Sequence, residues 1–137
     1  MKKYPRQIVG NIGLYYVCYE LSKRGWNVMP TTRNAKGVDV VIYSQDGKRK
    51  FTIQIKSLSK RNPVPLGTNL ENLKIVDYLI ICRNVIENPE LFIIRIDELL
   101  QSNRIHQGEK EGRVSYWIEP KDYEDLKDKW EELESGV

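Results

Sequence analysis

Three polar side chains stand where a hydrophobic hairpin should be plainest. Asp39 sits at the start of the apolar run "VDVVIYS", and Gln54 and Lys56 interrupt the run "KFTIQIKS". Between the two runs lies Asp46-Gly47, a strong two-residue hairpin signal. Folding the chain back about that turn brings Asp39 opposite the stretch from Gln54 to Lys56. Strand side chains alternate faces, so Phe51, Ile53 and Ile55 point one way while Thr52, Gln54 and Lys56 point the other. An acid, an amide and an ammonium therefore meet at one polar spot. The Asp39 carboxylate and the Gln54 carbonyl are hard oxygen donors of the kind that take Mg²⁺ or Mn²⁺ together with waters and a phosphate. A lysine beside them can steer an attacking water or offset charge building on phosphorus. The same three residues also suit a structural Asp39–Lys56 ion pair, with Gln54 satisfied on a solvated sheet face.

The surrounding sequence must supply the elements that hold these groups. "RQIVGNIGLYYVCYELSKR" has the length of a helix and ends at Gly25, with Lys23 and Arg24 in its last turn. Ile8, Ile12, Leu14, Val17, Cys18 and Leu21 make it apolar on nearly every side, which predicts a largely buried helix. Tyr15, Tyr16, Tyr19 and Trp26 read as core packing around it, with a stacking platform or a dimer contact as the alternative. "WNVMPTT" reads as a strand and "RNAKG" as a basic loop, followed by the two hairpin strands. "KRNPVPLGTNLENLK" reads as a loop leading into a helical turn or two around Leu70–Lys74. "VDYLIICRNV" is a strand buried on both faces, "ELFIIRI" a further strand, and "DELLQS" a short helix capped by Asp97. "RIHQGEKEGR" reads as a charged loop and "VSYWIE" as a last strand. "PKDYEDLKDKWEELE" reads as a helix opened by Pro120, docked by Trp117, Tyr123 and Trp130. The order α-β-β-β-α-β-β-α-β-α predicts an α/β or α+β fold, with helices flanking a mixed sheet.

Composition limits the function classes. The 137 residues, 40% of them apolar, suit one domain with its own core. No run approaches the ~18 apolar residues of a membrane span, and the basic start lacks a signal peptide's apolar stretch. Cys18 and Cys82 each lie in an apolar run and read as reduced core filler of a cytoplasmic protein. His106, the one histidine, excludes a multi-histidine metal site. Residues 1–108 carry 17 Lys/Arg against 9 Asp/Glu, whereas residues 109–137 carry 5 against 10. A basic body with an acidic tail is compatible with a polyanionic ligand on one face.

Together these residues resemble the PD-(D/E)xK nuclease superfamily. Its pattern is an acid entering one strand and a (D/E)xK triplet on the next, within an α-β-β-β-α-β core. Asp39 matches the acid, and "PTTRNAKGVD" resembles the Gly-x-Asp entry of archaeal Holliday-junction resolvases. Gln54-Ile55-Lys56 matches the triplet in a Gln variant found in some restriction and homing endonucleases. The resemblance runs from Arg6 to about Arg83. It implies a single restriction endonuclease-like domain, with a core over about 5–100 and an added strand and helix over about 101–137. It further implies a metal-dependent DNA endonuclease in which Asp39, Gln54 and Lys56 are catalytic. Asp39, Gln54 and the Ile55 carbonyl would hold Mg²⁺ or Mn²⁺. Arg33 and Lys36 on one side, and Lys60 and Arg61 on the other, would contact DNA, aided by Lys48, Arg49 and Lys50 at the hairpin tip. Cutting both strands implies a homodimer. Leu14 stands where members carry a helix-one Glu, and Glu20, six residues on, is turned about 240° around the axis. With one carboxylate left, the resemblance also admits a catalytically silent nucleic-acid-binding or partner-binding domain.

Overall fold

The computed structural model describes residues 3–32 and 37–137. Helix α1 spans Arg6–Lys23 and stops where its sequence says it should. Gly25 takes φ +89°, its N–H donates to Ser22 O at 3.0 Å, and the Trp26 N–H donates to Leu21 O at 3.3 Å. That bond pair is the Schellman arrangement, which a glycine adopts without steric cost. The helix is not buried all round. Val9, Gly13, Val17 and Leu21 face the protein, while Ile8, Tyr15 and Tyr19 face solvent, because no other element covers the outer side.

Five strands form the main sheet in the order β1-β2-β3-β5-β6: β1 (Asn27–Pro30), β2 (Val40–Tyr43), β3 (Lys50–Ser57), β5 (Tyr78–Arg83) and β6 (Glu90–Arg95). β3 pairs parallel with β5, and the other neighbours pair antiparallel. β5 is buried along its whole length, as its unbroken apolar run predicts. One core cluster lies between α1 and the sheet, and includes Val17, Leu21, Ile53, Ile80 and Ile93. A second lies on the other face, where Leu79, Ile81, Phe92 and Ile94 meet Leu73, Leu99, Ile118 and Tyr123. This is the mixed α+β architecture expected from the order of elements.

Several elements depart from expectation, each for a physical reason. The proline-bearing loop after β3 contains a strand, β4 (Val64–Gly67). It is an edge strand of a second sheet, β4-β8-β7, where Pro65 is tolerated. The charged stretch after α2 (Ile96–Gln101) is strand β7 (Ile105–Lys110), hairpinned to β8 (Arg113–Ile118). Glu111 (φ +53°) and Gly112 (φ +76°) make the turn. β7 is another edge strand, so its ladder forms while its charges stay in water, and no strong alternation marks it. Arg95 rather than Asp97 occupies the N-cap of α2. The expected long final helix is broken into α3 (Pro120–Tyr123) and two 3-10 turns, Glu124–Leu126 and Trp130–Glu132. Tyr123 belongs to one core and Leu133 to the other. The chain must therefore round the β6 edge, where the Asp128 N–H donates to Leu91 O at 2.9 Å, and a straight helix cannot serve both cores.

Candidate active site

The site grows out of the β2–β3 register. Val40 pairs with Ile53, which sets Asp39 opposite Gln54. The Asp39 N–H donates to Ile53 O at 2.9 Å, continuing the ladder one residue beyond β2, and the Thr31 N–H donates to Asp39 O at 2.9 Å. The Asp39 backbone is thus held from both sides. Its side chain is fixed as well, since Oδ2 accepts the Ile55 N–H at 2.7 Å. A strand residue presents N–H and C=O to the same side, so the Ile55 carbonyl leaves β3 toward Asp39, past the end of β2.

Gln54 and Lys56 pair in register with Leu79 and Ile81 of β5, which places them on the sheet face away from α1. Lys56 is half-buried. Burial pushes its ammonium below the ordinary lysine range, and the nearby Asp39 charge acts the other way without cancelling it. Among the described residues, neither the Gln54 amide nor the Lys56 ammonium has a hydrogen-bond partner, and Asp39 and Lys56 do not form an ion pair. A partly desolvated cation left unpaired beside an anchored carboxylate carries a stability cost. Such arrangements concentrate at functional sites.

The donor set bears directly on a metal. The second Asp39 oxygen, the Gln54 carbonyl and the Ile55 carbonyl are three hard donors with one negative charge between them. That chemistry fits a single divalent ion that keeps several waters. Among the described residues, no three His, Cys, Asp or Glu side chains cluster to hold a metal by themselves. Glu20 lies elsewhere, bound to Arg24 at 2.9 Å and Lys23 at 3.6 Å. Burial raises its pKa, but the Arg24 and Tyr16 hydrogen bonds outweigh this and leave it lowered. Leu14 packs half-buried against the core under α1.

The expected flanking cations fare differently. Arg33 and Lys36 lie outside the described residues. Lys60 is exposed just after β3. Arg61 donates to Glu124 Oε1 at 2.6 Å, and the same oxygen takes Arg83 at 3.0 Å, so the Arg61 charge is engaged by the C-terminal segment. At the hairpin tip, Arg49 bonds Ser135 O at 2.6 Å. Cys82 is free and buried, its thiol pushed up to about 12 by burial, which removes it as a nucleophile. Sequence reasoning did not find the close approach of Gly13 to Ser57, the residue after Lys56. A Cβ on Gly13 would lie 2.7 Å from Ser57 Cβ. Its only sequence signal is a glycine inside a helical pattern. A cleft lined by Phe51, Asp77, Tyr78 and Arg95 among others lies at the opposite end of β3.

No protein-family model matches the chain, and no curated protein matches it. Solved structures do. The bacterial homing endonuclease I-Ssp6803I superposes with a TM-score of 0.62 over 96% of this chain and 92% of its own, at 13% identity. The Holliday junction resolvase Hjc of Archaeoglobus fulgidus superposes with a TM-score of 0.53 over 80% of this chain and 90% of its own, at 16% identity. This is a restriction endonuclease-like fold. At such identities the likeness is one of architecture, and it bears out the fold class expected from the motif. The restriction endonuclease-like match with I-Ssp6803I covers nearly the whole chain, beyond the part that carried the motif, so β7, β8 and the segment after them fall inside the superposed region. No helix among the described residues is long and apolar enough to cross a membrane.

Proposed function

We propose that this protein is a divalent-metal-dependent DNA endonuclease of the D…QxK type, working with one metal-binding carboxylate. The observation that carries the reading is the pairing of an anchored Asp39 with an unpaired, half-buried Lys56 at one end of the β2–β3 ladder. Asp39, Gln54 and the Ile55 carbonyl would hold Mg²⁺ or Mn²⁺, which when bound supplies Lewis-acid stabilisation of charge on the phosphoryl oxygens. The Ile55 N–H holds Asp39 Oδ2 and leaves the other carboxylate oxygen for the ion. Lys56 orients the attacking water by hydrogen bonding and, in its charged form, offsets negative charge growing on phosphorus. The exposed Lys60, with Arg33 and Lys36, supplies phosphate contacts. One chain carries one such site, so a double-strand cut takes two copies.

Plasmid nicking at low salt with Mg²⁺ or Mn²⁺ tests the reading. Wild type nicks, Lys56→Ala and Asp39→Asn are slower by about 10²-fold or more, and chelation stops the reaction. Nicking that survives chelation, or that is indifferent to Lys56→Ala, overturns the proposal.

A further inference from the structure

The Asp39 backbone departs from the strand pattern. Its N–H donates to Ile53 O on β3 at 2.9 Å, while its C=O accepts the Thr31 N–H from the β1 side, also at 2.9 Å. A regular strand residue points both groups to one side. The chain is therefore turned at Asp39, in the way a β-bulge turns a strand and re-aims a side chain beside an active site. The Asp39 Oδ2 then meets the Ile55 N–H at 2.7 Å, which leaves the other carboxylate oxygen for a ligand. The turn also makes a demand. Val38 O and Asp39 O, carbonyls of consecutive residues, come to the same side, where alternating strand geometry would divide them between two neighbours. Both need a donor there. Pro30, the last residue of β1, has no N–H to offer. The half-buried Thr31 meets both needs. Its hydroxyl donates to Val38 O at 2.5 Å and reaches Asp39 O at 3.3 Å, where its N–H already donates.

We propose that Thr31 is a positioning residue of the candidate active site, whose two donors hold the turned backbone that aims the Asp39 carboxylate. The inference rests on the endonuclease reading for what the carboxylate does, and on these hydrogen bonds alone for how it is held. A hydroxyl on Cβ is short enough to serve the carbonyl beside the one that its own N–H serves. Serine keeps that donor, whereas alanine and valine lack it. Valine also keeps the branched shape of threonine, so Thr31→Val removes the hydroxyl alone. Val38 O then loses its partner, and a part-buried carbonyl left unmet favours turning the peptide between Val38 and Asp39 out toward water. The Asp39 N–H belongs to that same rigid peptide plane. Rotation of the plane loosens the bond to Ile53 O, and with it the aim of the carboxylate at Ile55. In this role Thr31 touches neither metal nor substrate and acts on Asp39 through one peptide unit.

Amide hydrogen exchange by NMR on the full chain, without metal or DNA, tests the role. The Ile55 amide reports the Asp39 bond. The Ile80 amide, in the middle of the buried β5, reports global opening. Thr31→Val is expected to speed Ile55 exchange by roughly fivefold or more, the worth of one net hydrogen bond. Ile80 should stay within about twofold, and Thr31→Ser should restore the wild-type Ile55 rate. Thr31→Ala, which asks nothing more of the packing, should match Thr31→Val. A Mn²⁺ titration followed by broadening of the Gln54 and Ile55 signals should need more metal in Thr31→Val and not in Thr31→Ser. Nicking should follow, slower at limiting Mn²⁺ and recovering at saturation, because the lost interaction is one of binding. An unchanged Ile55 rate in Thr31→Val overturns the inference. So does a parallel rise at Ile80, which makes the hydroxyl a general prop, and so does a Thr31→Ser protein that behaves like Thr31→Val. Wild type that neither takes up Mn²⁺ nor nicks, with the Ile55 effect present, sinks the endonuclease reading while the hold of Thr31 on Asp39 stands.

Discussion

At Lys56 the physics of burial and the chemistry of the site pull in opposite directions. Burial lowers the folded-state pKa of Lys56 relative to the ordinary value of about 10.4. The unfolded state therefore binds more protons between the two values, and stability rises with pH through that window. Below the folded pKa the cost is present in full. Lys56→Met is thus expected to raise the melting temperature at neutral pH, with the gain shrinking as pH nears 10, while nicking is lost. Thermal unfolding at several pH values checks this, and a gain independent of pH would count against it. The same depression sets the alkaline limb of activity. If the ammonium is the working form, nicking falls as pH rises through a point below the usual lysine range, and a limb at or above about 10.4 would contradict that role. Asp39, Gln54 and Lys56 were readable as neighbours because the Asp46-Gly47 turn signal and strand alternation together point to the register, although the loop itself is closed by the Ser44 N–H donating to Arg49 O at 2.9 Å. The Asp39–Ile55 N–H bond was not, since a side chain's choice of backbone partner depends on where β2 stops.

α1 shows what a sequence pattern conceals at the level of an element. Its residues are apolar around most of the circumference, yet only the Val9–Gly13–Val17–Leu21 face is covered. Periodicity reports which residues could be buried, not which side meets a neighbour. Gly13 is the point of nearest approach. An added Cβ would collide with the Ser57 hydroxyl and stand 2.7 Å from Ser57 Cβ, so either α1 or β3 must shift. Gly13→Ala is expected to destabilise by about 1–3 kcal/mol, the usual cost of overpacking, despite alanine's better helix propensity. It should also slow nicking, because Ser57 follows Lys56 in the strand. Gly13→Ala/Ser57→Gly removes the collision and should recover most of the loss in denaturant titration; no recovery would mean that the clash is not the cause. The strands missed from sequence, β4 and β7, are both edges of the small sheet. Edge strands keep one side of their ladder in water and need neither apolar alternation nor freedom from proline.

The whole molecule separates its chemistry from its fastening. Asp39, Lys56 and Lys60 sit at one end of the β2–β3 ladder, and at the other end residues 133–137 tie the hairpin to the end of α1. Leu133 is buried in the core under α1. The Gln45 N–H donates to Gly136 O at 2.7 Å, the Gly136 N–H to Arg24 O at 3.1 Å, and Arg49 to Ser135 O at 2.6 Å. An acidic tail in sequence is here a clasp, and the basic hairpin tip is partly spent on it rather than left for DNA. Deleting residues 133–137 removes a buried leucine and these backbone bonds, an expected loss of about 2–5 kcal/mol on the leucine alone. The strand register that holds Asp39 against Ile55 lies outside the clasp. Melting should therefore fall steeply, while nicking per folded molecule, measured well below the new transition, stays within about twofold. A truncated protein that keeps its melting temperature would show the clasp to be passive. One that folds yet no longer nicks would show the two ends of the sheet to be coupled through β3, the strand they share.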